Sequence, residues 1–213
     1  MQKSFYYIIL LFVTFISITI NTNAMATNKL TTNKSETASS QHNNQDYATI
    51  EIQDIGEVVI KLCPSAAPRH TERIRELANE KFYDGIVFHR AIPGFMVQTG
   101  DPTGTGSGGS KKPDLMAEFN NMPHKRGTVS MARTNDPNSA NSQFFIMLDN
   151  HPSLDHQYSA FGYVISGMEF VDKIQMGDEN KNGKVNSPSI IKKMYVGTPK
   201  DFKIPDSENR CIQ

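Results

Sequence analysis

The segment Phe88-His89-Arg90-Ala91-Ile92-Pro93-Gly94-Phe95-Met96-Val97-Gln98-Thr99-Gly100-Asp101 decides how this chain is read. It sets one arginine and one amide among apolar side chains and overlaps two strand-like runs, Ile86–Ala91 and Phe95–Thr99. Met96 and Gln98 stand two apart on the second run, so both project to one face while Val97 turns to the other. The same mixture returns in Ser130-Met131-Ala132-Arg133 and in Ser142-Gln143-Phe144-Phe145-Ile146. There Gln143 and Phe145 share a face and Phe144 points away. Two separate strands therefore each carry an amide and a large apolar residue on one side.

Order begins upstream at Tyr47. Ile50 and Ile52 alternate with Glu51, Asp54-Ile55-Gly56 offers a turn, and Val58, Ile60 and Leu62 keep one parity, which predicts an antiparallel hairpin. Pro68 suits the first turn of a helix in which Ala67, Thr71, Ile74, Leu77 and Ala78 face inward and Arg69, Glu72, Arg73 and Glu76 outward. Further strand-like runs fall at Leu115–Phe119, Thr128–Ala132, Gln143–Leu148, Ala160–Ile165 and near Ile190–Val196, with a second short helix at Glu169–Gln175. About eight short strands and two helices predict a mainly β fold and suggest a closed barrel.

The ends differ from this middle. Lys3 is the only charge before the apolar run Phe5–Ile20, which is followed by polar residues and Ala24-Met25-Ala26. A positive start, an apolar stretch and an A-x-A site predict a cleaved secretory signal peptide over residues 1–26. The rival, an uncleaved membrane anchor, is disfavoured because the run is short for a roughly 30 Å hydrocarbon core and is diluted by Thr14, Ser17 and Thr19. Residues 27–46 are Thr-, Asn-, Ser- and Gln-rich and cannot bury enough to offset their ordering entropy, so they are expected to be a flexible linker. Residues 47–197 form the expected domain and 198–213 a polar C-terminal tail. The expected location is periplasmic or secreted, with no stable membrane insertion after cleavage.

Composition excludes several chemistries. Twenty-two basic residues balance twenty-two acidic ones in 213 residues, so no net field draws the chain to nucleic acid. The glycine-rich Gly104–Gly109 lacks a G-K-[ST] ending and runs into Lys111-Lys112-Pro113, unlike a phosphate cradle. The six histidines show no metal-ligand spacing, and no nucleophile elbow is present. Cys63 and Cys211 are too few for a disulfide framework, and the sequence leaves open whether they pair. Cys63 reads as a small buried residue rather than a nucleophile.

The two quoted motifs, F-H-R-x-I-P-G-F-M-x-Q-x-G-D and S-Q-F-F-I, resemble those of the cyclophilins, peptidyl-prolyl cis-trans isomerases, over roughly Tyr47 to Val196. The resemblance implies a closed eight-stranded antiparallel β-barrel capped by two α-helices, and an enzyme that speeds X-Pro isomerisation in folding exported proteins, without cofactor or metal. It assigns Arg90 the catalytic contact, and Phe95, Met96, Phe145 and Leu154 the apolar floor of a proline pocket. Gln98 and Gln143 would hold Arg90 and the peptide backbone, Ala132 and Arg133 would offer main-chain hydrogen bonds, and Gly106 would line an adjoining pocket. Tyr158 stands where many eukaryotic relatives have histidine, and Ser153-Leu154-Asp155 where they have W-L-D. Loss of that tryptophan implies weak cyclosporin binding. Partners implied are proline-containing polypeptides and folding clients, and the chain is expected to be a monomer. Two other readings are a proline-binding chaperone or adhesion module without turnover, and a secreted effector acting through its tails.

Overall fold

Alternation at the start of the domain folds as it reads. Strands β1 (Tyr47–Ile52) and β2 (Gly56–Leu62) pair antiparallel with Ile50 opposite Val58 and Ile52 opposite Gly56. The computed structural model describes residues 44–205 and 209–211. The expected signal peptide and all but the last three residues of the expected linker lie outside the described residues. Helix α1 (Pro68–Asn79) starts at the predicted proline and buries Thr71, Ile74, Leu77 and Ala78. One expected outward residue is not exposed: Arg73 is buried, donating to the carbonyls of Asn141 and Pro113 at 3.2 and 2.9 Å. Its long aliphatic stem lets a helix-face arginine span to loop carbonyls that need donors.

The remaining strands are β3 (Arg90–Ile92), β4 (Met96–Thr99), β5 (Thr128–Met131), β6 (Phe144–Met147), β7 (Ala160–Ser166) and β8 (Ile191–Val196). All join one antiparallel sheet in the order β3-β4-β6-β5-β7-β2-β1-β8. Its core face buries Ile50, Ile60, Phe88, Val97, Phe144, Ile146 and Phe161 together with the apolar stripe of α1. Phe144 meets Tyr83 and Phe161 edge-on at 5.6 and 6.1 Å, and each such buried ring contributes about 1.5–3 kcal/mol over its exposed state. Helix α2 (Met168–Val171) is shorter than the expected Glu169–Gln175.

The expectation of a closed barrel is corrected: the sheet is a curled half-barrel, open between β3 and β8. The cause is local. Ala91 donates to Gly183 O at 2.9 Å and accepts from Gly177 N at 2.9 Å, so the 177–185 loop occupies the backbone edge that closure would require. Residues 85–88 bridge instead to the entry of β8, through Gly85 N–H to Ile191 O, Ile191 N–H to Ile86 O and Phe88 N–H to Ser189 O. The run expected from Ile86 thus becomes a regular strand only at Arg90. Leu115–Phe119 is not a strand either and makes one isolated bridge, Leu115 to Ala140.

The C-terminal segment returns to the domain. Cys211 is disulfide-bonded to Cys63 at the end of β2, and Arg210 lies over the Tyr163 ring at 5.1 Å while donating to Thr128 Oγ1 at 2.9 Å. Cys63 is buried, as expected of it, but is covalently paired. The expected polar tail is therefore anchored to the domain through Arg210 and Cys211.

Candidate functional site

Strand register builds the site. Arg90 stands opposite Gln98, Gln98 opposite Phe145, and Phe145 opposite Ser130, so one row crosses β3, β4, β6 and β5 on the same face. The predicted parity holds: Val97 and Phe144 enter the main core, whereas Met96 and Phe145 form a second cluster with Met147, flanked by Phe95, Ala132, Leu154 and Tyr158. Arg90, Phe95, Met96, Gln98, Ala132, Arg133, Phe145, Leu154 and Tyr158 line one pocket of about 100 Å³. A larger pocket of about 330 Å³ shares the wall residues Gln98, Ala132 and Arg133 with it and contains Gly106 and Gln143. All the residues expected from the sequence are thus at one of two adjoining hollows.

Arg90 is half-buried and held on two sides. Nη1 donates to Gln98 Oε1 at 3.2 Å, while Nε and Nη2 donate to the backbone and side-chain oxygens of Asn182 at 3.0 and 2.9 Å. Burial lowers the guanidinium's pKa from its ordinary value, yet such a group stays charged at any physiological pH. Gln98 Nε2 donates to Gln143 Oε1 at 2.8 Å, and Gln143 Nε2 donates to the carbonyls of Gly106 and Gly108. Gln143 therefore reaches Arg90 one step removed, through Gln98. Ala132 N–H is bonded to Gln143 O at 2.9 Å.

The glycine loop is organised by Asp101, which accepts from Thr103 N and Oγ1 at 2.7 and 2.8 Å and from Gly106 N at 2.6 Å. Burial pushes this carboxyl upward, but the hydrogen bonds from Thr103, Gly108 and Gly106 together outweigh it and hold it at about 2. A Cβ at Gly108 would overlap Asp101 Oδ1, and Gly106 has φ +90°, so both positions require glycine. Arg133 contributes its side chain as well as its backbone: the guanidinium lies 4.6 Å from the Tyr158 ring centroid and donates twice to Gln157 O.

Sequence reading missed three residues beside the pocket. Asn182 sits at φ 54° in the loop that closes the β3 edge, and its only signal was the turn-forming Asn182-Gly183 pair. His124 and Asp155 lie behind the floor, with His124 Nδ1 3.0 Å from Asp155 Oδ1. A lone histidine carries no spacing signal and reads only as solvated or hydrogen-bonded. Among the described residues no group of three or more His, Cys, Asp or Glu side chains could hold a metal.

Residues 47–196 match the family described as cyclophilin type peptidyl-prolyl cis-trans isomerase/CLD. A probable peptidyl-prolyl cis-trans isomerase of Brucella suis is 46% identical over 169 residues, 74% of this chain and 86% of its own. The human peptidyl-prolyl cis-trans isomerase-like 3 is 44% identical over 128 residues, 57% of this chain and 78% of its own. A Cryptosporidium parvum cyclophilin type isomerase, crystallised in the presence of the dipeptide Ala-Pro, superposes with TM-score 0.65 at 31% identity, covering 71% of this chain and 99% of that one. With the arginine, the apolar slot and the sheet that aligns them in place, this chain belongs to the cyclophilin-type peptidyl-prolyl cis-trans isomerases.

Proposed function

We propose that the 100 Å³ pocket receives the ring of a substrate proline and that Arg90 catalyses rotation about the preceding imide bond. The barrier to that rotation is about 18–20 kcal/mol because the twisted amide loses resonance. As it twists, the proline nitrogen regains its lone pair, so a donor aimed there stabilises the transition state more than either planar form. The observation that carries this reading is the tethering of Arg90. Three of its five N–H groups are committed to oxygens of Gln98 and Asn182 and Nη1 also donates to Met96 Sδ at 3.8 Å, which fixes the plane of the guanidinium and leaves a donor on Nη2 for substrate. Phe95, Met96, Phe145, Leu154 and Tyr158 supply the walls that exclude water from the ring. The Ala132 carbonyl and the Arg133 N–H align the residues before proline, and Gly106 borders the space beside them. No proton moves and no covalent bond breaks.

The natural substrates in this reading are X-Pro segments of exported polypeptides during folding. The signal-like start of the chain supports it, and so does the Cys63–Cys211 disulfide, since such bonds persist in oxidising compartments outside the cytoplasm. Turnover of a cis X-Pro peptide, followed by protease coupling or exchange spectroscopy, tests the activity. Rate enhancement is expected; peptide binding without it favours the binding-module alternative. Fractionation with and without signal-peptidase inhibition tests export, which predicts accumulation of the longer form in the membrane fraction.

A further inference from the structure

Behind the pocket lies a side chain that the proposed mechanism does not use. His124 is 2% exposed. Its Nδ1 is 3.0 Å from Asp155 Oδ1, its Nε2 is 2.8 Å from Ser130 Oγ, and its backbone N–H also donates to Asp155 at 2.7 Å. Its carbonyl accepts from His151 N–H at 2.8 Å. The ring stacks on Phe145 with centroids 6.2 Å apart at 23° and meets Tyr158 edge-on at 6.4 Å. One imidazole thus touches three separate segments that together build the pocket: β5 through Ser130, β6 through Phe145, and the 151–158 turn that carries Leu154 and Tyr158.

The connectivity Asp155–His124–Ser130 is that of a nucleophile relay. Ser130 is fully buried, however, so no substrate carbonyl can reach its hydroxyl, and the chain of bonds serves another purpose. Burial lowers the pKa of His124, against hydrogen bonding and charge from Asp155 that raise it. A neutral ring donates from Nδ1 to the carboxylate and accepts at Nε2 from Ser130, so both ends are satisfied without a buried net charge. Arg90 is positioned by different partners, Gln98 and Asn182.

We propose that His124 is a positioning residue that sets the width of the proline pocket by locking Phe145, Tyr158 and the Leu154 turn against one another. This rests on the proline-pocket reading above. Loosening the lock enlarges the slot without moving the guanidinium, so ring binding suffers while the catalytic contact survives. The test is steady-state kinetics on an X-Pro peptide, with equilibrium unfolding, for His124→Gln, Asp155→Ala and the double variant of the full chain. KM should rise about three- to tenfold in each single variant, the scale of one aromatic contact, with kcat within about twofold. The double variant should be no worse than the worse single one, because both cut the same link.

Unchanged KM with a lowered unfolding midpoint means a purely structural role and overturns the proposal. So do multiplicative effects in the double variant, or a fall in kcat at constant KM. Should His124→Gln not fold, Asp155→Ala, at a partly exposed position, decides alone. Arg90→Ala is measured in parallel: a rate insensitive to Arg90 sinks the catalytic reading, whereas a KM insensitive to Asp155 and His124 sinks this one.

Discussion

Arg90 illustrates how little of a residue's role lies in its type. An isolated arginine is most often a surface ion-pair partner, yet here no carboxylate pairs with it among the described residues, and its bonds go to an amide and a loop carbonyl. That choice keeps the charge uncompensated at the mouth of an apolar slot, as the proposed stabilisation of a developing lone pair requires. Ser153 is the opposite case, a position whose residue type alone carries the expectation of weak cyclosporin binding. It is exposed on the single 3₁₀ turn Pro152–Leu154, beside the pocket residue Leu154. Ser153→Trp should restore an aromatic wall and an indole donor, tightening cyclosporin binding by about tenfold in calorimetry, as expected for roughly 1–1.5 kcal/mol of aromatic contact. Unaltered affinity would show that the missing ring does not limit drug binding.

Among the elements, the glycine loop 104–109 depends on one carboxylate. Asp101 is favoured in its charged form by the fold, so between about pH 4 and 2 the native state binds fewer protons than the unfolded chain. Its stabilisation is therefore complete above about pH 4 and is lost as pH falls through about 2; it amounts to about 2 kcal/mol. Asp101→Asn should destabilise by about that much near neutrality, and the difference from wild type should shrink as the solution is acidified. A pH-independent difference in urea unfolding would contradict this origin. Strand parity at Met96, Gln98, Gln143 and Phe145 was legible in the sequence because period-two projection is local geometry. The open seam between β3 and β8 was not. It depends on Gly177 and Gly183 taking the backbone bonds of Ala91, a pairing some 90 residues apart that leaves no periodic trace. The burial of Arg73 escaped for the same reason, since its partners Asn141 and Pro113 come from distant loops.

At the scale of the whole molecule, the Cys63–Cys211 bond closes a loop across a sequence separation of 148 and brings the C-terminal segment onto the cluster of Cys63, Met122, Ala160 and Tyr163. Composition alone suggested a polar tail and left the pairing open, because pairing depends on where the end of β2 lies relative to Cys211 in the fold. Cys211→Ser should lower stability by about 2–4 kcal/mol and leave kcat/KM unchanged, since this cluster is separate from the one that forms the pocket. A parallel loss of activity per folded molecule would show that the tail reaches the site. The central claim concerns the guanidinium, and kcat/KM for an X-Pro peptide in Arg90→Ala, measured beside its thermal unfolding midpoint, tests it most directly. The account predicts a fall of about a hundredfold or more, roughly 2.7 kcal/mol of transition-state stabilisation, with the midpoint nearly unchanged. Activity retained within a few-fold, or lost only in proportion to folded protein, would contradict it.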